Sequence, residues 1–190
     1  MRHPKIGLDN LDNAFKAIGR ATVDRRHGFR TVILATASPD ADARILILRN
    51  FDRAKRLIRL YTDHRSPKVA SLQAQPKAKI LLWNPTHKIQ LRLSITASIQ
   101  NQTDECQRLW KQLPDHGIGD YSSPTHPGSP LNPLFAQNLQ PLEREEAFQH
   151  FSLIDCVFDE IDYLKLDRAG HQRWQFHWEN EAWKALELIP

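Results

Sequence analysis

Apolar residues recur at Leu11, Ala14, Phe15, Ile18 and Ala21, the spacing of one helical face, and the pattern stops before the turn-like Arg26-His27-Gly28. The spacing predicts an amphipathic first helix. Three segments rich in Ile, Leu, Val or Tyr follow, Phe29 to Thr36, Ala43 to Arg49 and Arg56 to Thr62, separated by Ser38-Pro39-Asp40 and Asn50-Phe51-Asp52. They read as consecutive strands joined by short turns. Ser66-Pro67-Lys68 then opens a short helix, with an N-cap residue followed by proline at the first helical position.

Lys77 to Trp83 reads as another strand. In Lys88 to Gln100 the alternation is the most regular of the chain, with Ile89, Leu91, Leu93, Ile95, Ala97 and Ile99 on one side and polar residues on the other. Such alternation predicts a strand with one wet face. Thr103 is placed to cap a helix whose apolar face is Cys106, Leu109, Trp110 and Leu113. The segment 114–140 begins with five prolines between Pro114 and Pro133, together with Gly117, Gly119 and Gly128, and reads as a long loop. Pro141 to Phe151 is expected to be helical and Leu153 to Phe158 a strand. Trp174, Phe176 and Trp178 alternate, Glu179-Asn180-Glu181 turns, and Ala182 to Ile189 returns as a hairpin. Many sequential strands with a few peripheral helices predict a mainly β (α+β) antiparallel sheet closed into a small barrel.

Composition narrows this further. The 190 residues suit one domain over 1–190, and no apolar stretch has the length that crosses a bilayer, so a soluble cytoplasmic protein is expected. Cys106 and Cys156 are far apart and lack the spacing of a zinc site, so no metal is expected. The net charge of +4 raises nucleic acid as a partner, but the cations are scattered among 22 acids, which argues against it.

A helix N-terminus gathers unpaired N–H groups and partial positive charge, so Ser66-Pro67-Lys68 is a candidate phosphate site. Arg65 precedes it, and Arg44 and Arg49 lie on a nearby strand, on opposite faces if that strand is regular. A capped surface helix with solvated cations accounts for these residues more simply when they are taken alone. Gln90 likewise reads as a solvated strand residue by itself, and Tyr61 as a core or rim aromatic.

The order changes that picture. Arg44-Ile45-Leu46-Ile47-Leu48-Arg49, Leu60-Tyr61-Thr62-Asp63, Ser66-Pro67-Lys68, Pro76, Trp83 and Gln90-Leu91-Arg92 resemble, in order and spacing, the FMN-binding half of the pyridoxamine 5'-phosphate oxidase family. Arg173, Glu179-Asn180, Trp183-Lys184 and Pro190 resemble its closing hairpin. The resemblance implies an FMN-binding split barrel that works as a homodimer, with flavin mononucleotide (FMN) between subunits. It implies that Arg44 and Lys68 hold the phosphate, with Ser66 capping the helix beside them. It further implies that Ile45, Leu46, Ile47, Leu48, Arg49, Tyr61 and Thr62 line the cofactor, that Gln90 bonds the ring, and that Arg173 reaches it from the partner. Pro67 stands where the family has a second basic residue, so Arg65 is expected to supply that charge. Tyr163 is expected to take the place of a tryptophan that covers the flavin.

On the substrate side, Arg49 stands where the family has a lysine, His171 aligns with its histidine, and Arg168 lies one residue before its arginine. The resemblance therefore implies oxidation of a small anionic amine or alcohol, with Arg49, Arg168 and His171 as the protein groups at the substrate. The alternatives are a flavin-reductase module fed by a nicotinamide cofactor and a nucleic-acid-binding β-barrel.

Overall fold

The computed structural model describes residues 4–130 and 140–190. Helices α1 (Pro4–Ala21), α2 (Pro67–Ala74), α3 (Asp104–Lys111), α4 (Asp115–Ile118) and α5 (Arg144–Ala147) accompany eight strands. These are β1 (Thr31–Thr36), β2 (Asp42–Asp52), β3 (Leu57–Asp63), β4 (Lys77–Asn84), β5 (Ile89–Asn101), β6 (Phe151–Lys165), β7 (Gln172–Glu179) and β8 (Ala182–Leu188). All the pairings are antiparallel, in the order β3-β2-β1-β4-β5-β6-β7-β8, and β3 also pairs with β6. That extra pairing closes six strands into a barrel, while β7 and β8 extend the sheet beyond it. The expected mainly β split barrel is therefore the observed fold.

Alternation fills the barrel. Leu91, Leu93 and Ile95 of β5 point inward with Leu34, Leu60, Ile80 and Phe158, and α1 plugs one end through Leu11, Phe15 and Ile18. Gly7 lets α1 sit on Trp174, since a Cβ there would lie 2.6 Å from the indole Cε3. A second apolar cluster, Cys106, Trp110, Tyr121, Phe151 and Leu153, fixes α3 and the start of the Pro-rich segment outside the barrel. Between the clusters Arg59 bonds Asp155 through Nε at 2.6 Å and Nη2 at 2.8 Å, and Glu105 through Nη1 at 2.5 Å. This buried ionic group ties the closing strands to α3.

Three elements depart from their expected bounds. β2 runs on through Asn50-Phe51-Asp52, expected as a turn, because these residues pair with β3, and the turn falls at residues 53–56. Helix over 141–151 shrinks to α5 and one 3-10 turn, Phe148–His150. The strand expected over 153–158 runs from Phe151 to Lys165, because β6 serves β3, β5 and β7 in turn. Asp115–Ile118 and Gly119–Tyr121 add helical turns to the segment expected as loop, and its residues 131–139 lie outside the described residues.

Candidate functional site

Strands β2 and β3 and the N-terminus of α2 border two adjoining clefts. One, of about 290 Å³, is lined by Ile45, Leu46, Ile47, Arg49, Tyr61, Thr62, Ser66 and Lys68, together with Asp63, Asp120, Tyr121 and Pro127. The other, of about 340 Å³, shares Ile45, Leu46, Ser66, Lys68 and Pro127 and adds Asp42, Arg44, Pro67 and Gly128. Alternation along β2 puts Arg49 on the face of Ile45 and Ile47 in the first cleft, beside a bulge where the β2–β3 register shifts between Leu48 and Asn50. Arg44, nearer the start of the strand, lines the second.

The cations in these clefts are unevenly satisfied. Arg44 donates to Leu34 O at 3.1 Å and Thr36 Oγ1 at 3.0 Å and pairs with Asp42. Lys68, by contrast, donates among the described residues only to neutral hydroxyls, Ser66 Oγ and Thr62 Oγ1, the latter at 3.2 Å. Burial and the nearby Arg44 hold its ammonium below the usual lysine range. Arg49 lies over the Tyr61 ring, 5.2 Å from its centroid, and its buried Nε has no partner among the described residues. Ser66 sits at the N-cap, but its hydroxyl makes no capping bond and instead accepts from Lys68. The helix N-terminus and two incompletely paired cations thus face one space, an arrangement that accepts a phosphate.

Several expected residues lie elsewhere. Leu48 is fully buried in the barrel, on the opposite face of β2 from Ile47. Arg65 lines neither cleft: it bonds Asp63 at 2.7 Å and the Ser123 carbonyl at 2.9 Å, so its charge is spent fastening the Pro-rich segment. Gln90 and Arg173 flank Leu164, which pairs with both across β5, β6 and β7. Tyr163, one residue earlier, points to the other face and is buried in the barrel core. Leu164, not Tyr163, therefore holds the position between Gln90 and Arg173. Arg168 and His171 line a further recess with Trp83 and Lys88, and His171 Nδ1 accepts from the Asp167 N–H at 3.1 Å, which leaves the ring proton on Nε2 when the imidazole is neutral.

The expected residues fall into two groups on one chain. Arg44, Arg49, Tyr61, Thr62, Ser66 and Lys68 form one. Gln90, Arg173, Arg168 and His171 lie on the strands and turn at the far side of β4. Sequence reasoning missed Tyr121, which enters the first cleft braced edge-on against Trp110 and Phe151. An aromatic inside a Pro- and Gly-rich run was its only signal.

Residues 10–101 match the family profile described as pyridoxamine 5'-phosphate oxidase, FMN-binding domain. Over that stretch, 92 of the 190 residues, the chain is similar to the FMN-binding domain of that family. No curated protein matches it. Among solved structures, a pyridoxamine 5'-phosphate oxidase-related, FMN-binding protein from Nostoc punctiforme superposes with a TM-score of 0.76 at 24% identity, covering 95% of this chain and 96% of its own. PhzG from Burkholderia lata, solved with tetrahydrophenazine-1-carboxylic acid, gives 0.74 at 17% identity, covering 95% and 92%. At these identities the likeness concerns the split-barrel fold.

Proposed function

We propose that the chain binds FMN and acts as a flavin-dependent oxidoreductase on a small anionic amine or alcohol, in a homodimer with a cofactor at each half of the interface. The observation that carries this reading is Lys68, a half-buried ammonium held, among the described residues, only by hydroxyls beside Arg44 at the start of α2. Lys68 and Arg44 bind the phosphate; Ile45, Leu46, Ile47, Tyr61 and Thr62 form the wall along the rest of the cofactor. Bound FMN supplies the hydride-accepting chemistry. Arg49 is left to anchor the anionic end of a substrate through its guanidinium, and Tyr121 narrows the space beside it.

The division of the residues into two groups supports the dimer. Gln90, Arg173, Arg168 and His171 complete the partner's cleft, not their own. Trp83, paired with Gln90 and 41% exposed, and Ile45, 67% exposed, give the outer face the apolar surface such a contact needs.

The absorbance spectrum of freshly purified protein tests cofactor binding: a flavin spectrum is expected, and it should be lost in Arg44→Ala with Lys68→Ala. Colourless protein that takes up no added FMN overturns the reading. Anaerobic bleaching of the flavin by pyridoxamine 5'-phosphate identifies an oxidase of that substrate, and bleaching by NADPH instead identifies a flavin reductase.

A further inference from the structure

A recess of about 200 Å³ lies between α1 and the facing ends of β4, β5 and β6, and shares no lining residue with the cationic clefts. Phe29 and Ala17 give it apolar walls, and Asn13 and His87, both exposed, stand at its rim. Its floor carries two buried polar side chains, each with a hydrogen-bonding group that has no partner among the described residues. Asn84, 3% exposed, accepts from the His87 N–H through Oδ1 at 3.1 Å, while its Nδ2 has no partner among the described residues. The Tyr163 hydroxyl, on a residue 2% exposed, has none there either. Neither atom is among the fully enclosed side-chain atoms without partners, Arg49 Nε and Trp174 Nε1, so both are open to the recess, where a few placed polar groups in an apolar hollow fix a ligand's orientation.

The position of Asn84 is fixed by its neighbour. A Cβ on Gly28 would lie 2.9 Å from Asn84 Cα and 3.0 Å from its Cγ, so only glycine lets the turn before β1 press against this side chain. Neither a carboxylate nor a lysine or arginine lines the recess. Burial pushes the Tyr163 hydroxyl up to about 12, which keeps it a donor at neutral pH. A volume of about 200 Å³ falls below the roughly 300–1,000 Å³ of pockets for drug-sized ligands, so it suits a single ring and not a nucleotide.

We propose that this recess is a second ligand site, for an uncharged planar ring bearing a carboxamide or similar acceptor. The ring packs between Phe29 and Ala17, and the acceptor oxygen receives the Tyr163 hydroxyl and Asn84 Nδ2. The site is independent of the flavin reading, because its residues lie on the inner side of β6 and beneath α1.

Benzamide, with benzoate as its charged isostere, tests the proposal by ligand-observed NMR on the full chain with FMN added. Benzamide is expected to bind in the millimolar range, with benzoate at least about tenfold weaker because no cation offsets its desolvation. Tyr163→Phe, which removes one hydroxyl, should weaken benzamide about tenfold. Ala17→Leu, checked for folding by circular dichroism, should abolish binding by filling the space. No benzamide binding to the unaltered chain at about 20 mM overturns the proposal. So does binding that FMN displaces, that Tyr163→Phe and Ala17→Leu both leave unchanged, or that benzoate equals.

Discussion

Lys68 lies half-buried beside Arg44, and burial together with that guanidinium lowers the affinity of its amine for a proton, while its hydrogen-bond partners among the described residues are the hydroxyls of Ser66 and Thr62. Two like charges are held together at a helix N-terminus, where Asp42 pairs with Arg44 and Asp63 pairs with Arg65. This arrangement is unfavourable to the empty fold and favourable to an anion. Lys68→Met should therefore weaken FMN binding at least about 100-fold while raising the melting temperature of the cofactor-free protein by about 2 °C. Flavin fluorescence titration and a thermal melt measure the two effects; a fall in both would show that Lys68 serves stability alone.

The same lowered affinity sets a pH dependence. The unfolded chain binds a proton at Lys68 up to the ordinary lysine range, whereas the folded chain loses it earlier, so the cofactor-free protein gains stability as pH rises between those two points. Phosphate binding has the opposite sign, because it needs the ammonium. FMN should be released as pH rises through the lowered lysine value, and in Lys68→Arg that release should move to higher pH. Fluorescence of freed flavin against pH reads it directly.

The proposed division of the site between subunits predicts complementation. Lys68→Ala spoils the first group and Arg173→Ala the second, so each pure variant has only damaged sites. Unfolding and refolding the two together gives mixed dimers in which one site is wholly intact, restoring about one quarter of the normal FMN sites. Equal mixtures with no recovered flavin would place both groups around one chain's own cofactor.

Acid should loosen α3 before the barrel. Arg108 and Arg59 hold the Glu105 carboxyl down to about 2, so the stabilisation from this group is complete above the ordinary glutamate value and is lost as pH falls toward 2. Glu105→Gln should remove that part of the acid sensitivity. Arg59→Met should cost about 3–5 kcal/mol in urea unfolding, since it strands the Asp155 carboxylate, 7% exposed, between the closing strands.

The pattern of the sequence showed most where one face of an element meets water and the other meets the core. β5 and α1 are legible for that reason. β6 was cut short at Phe158 because the alternating residues beyond it carry Glu160 and Asp162, whose carboxylates read as turn-like in sequence but are satisfied across the sheet by Gln175, Arg92 and Arg173. The first group of the site was legible as an order of residues, but Arg44, of opposite parity to Ile45, Ile47 and Arg49, lines the adjoining cleft, which strand alternation does not announce. Arg65 was lost to Asp63, a competition decided by side-chain reach. Tyr163 was placed one residue from Leu164, and in a strand that small offset moves a side chain from one face to the other.

Barrel closure has a consequence for how the chain reaches its final state. Arg59 meets Asp155 across 96 residues of sequence, so the last seam of the barrel waits on a contact between distant parts of the polypeptide. Pairings of that span make folding slow. Tyr61 and Thr62 lie on β3, which pairs with β6 at that seam, so the wall of the cleft is complete only when the barrel is shut. An anion held by Lys68 and Arg44 beside that wall would then favour the closed barrel over the open chain by its own binding free energy.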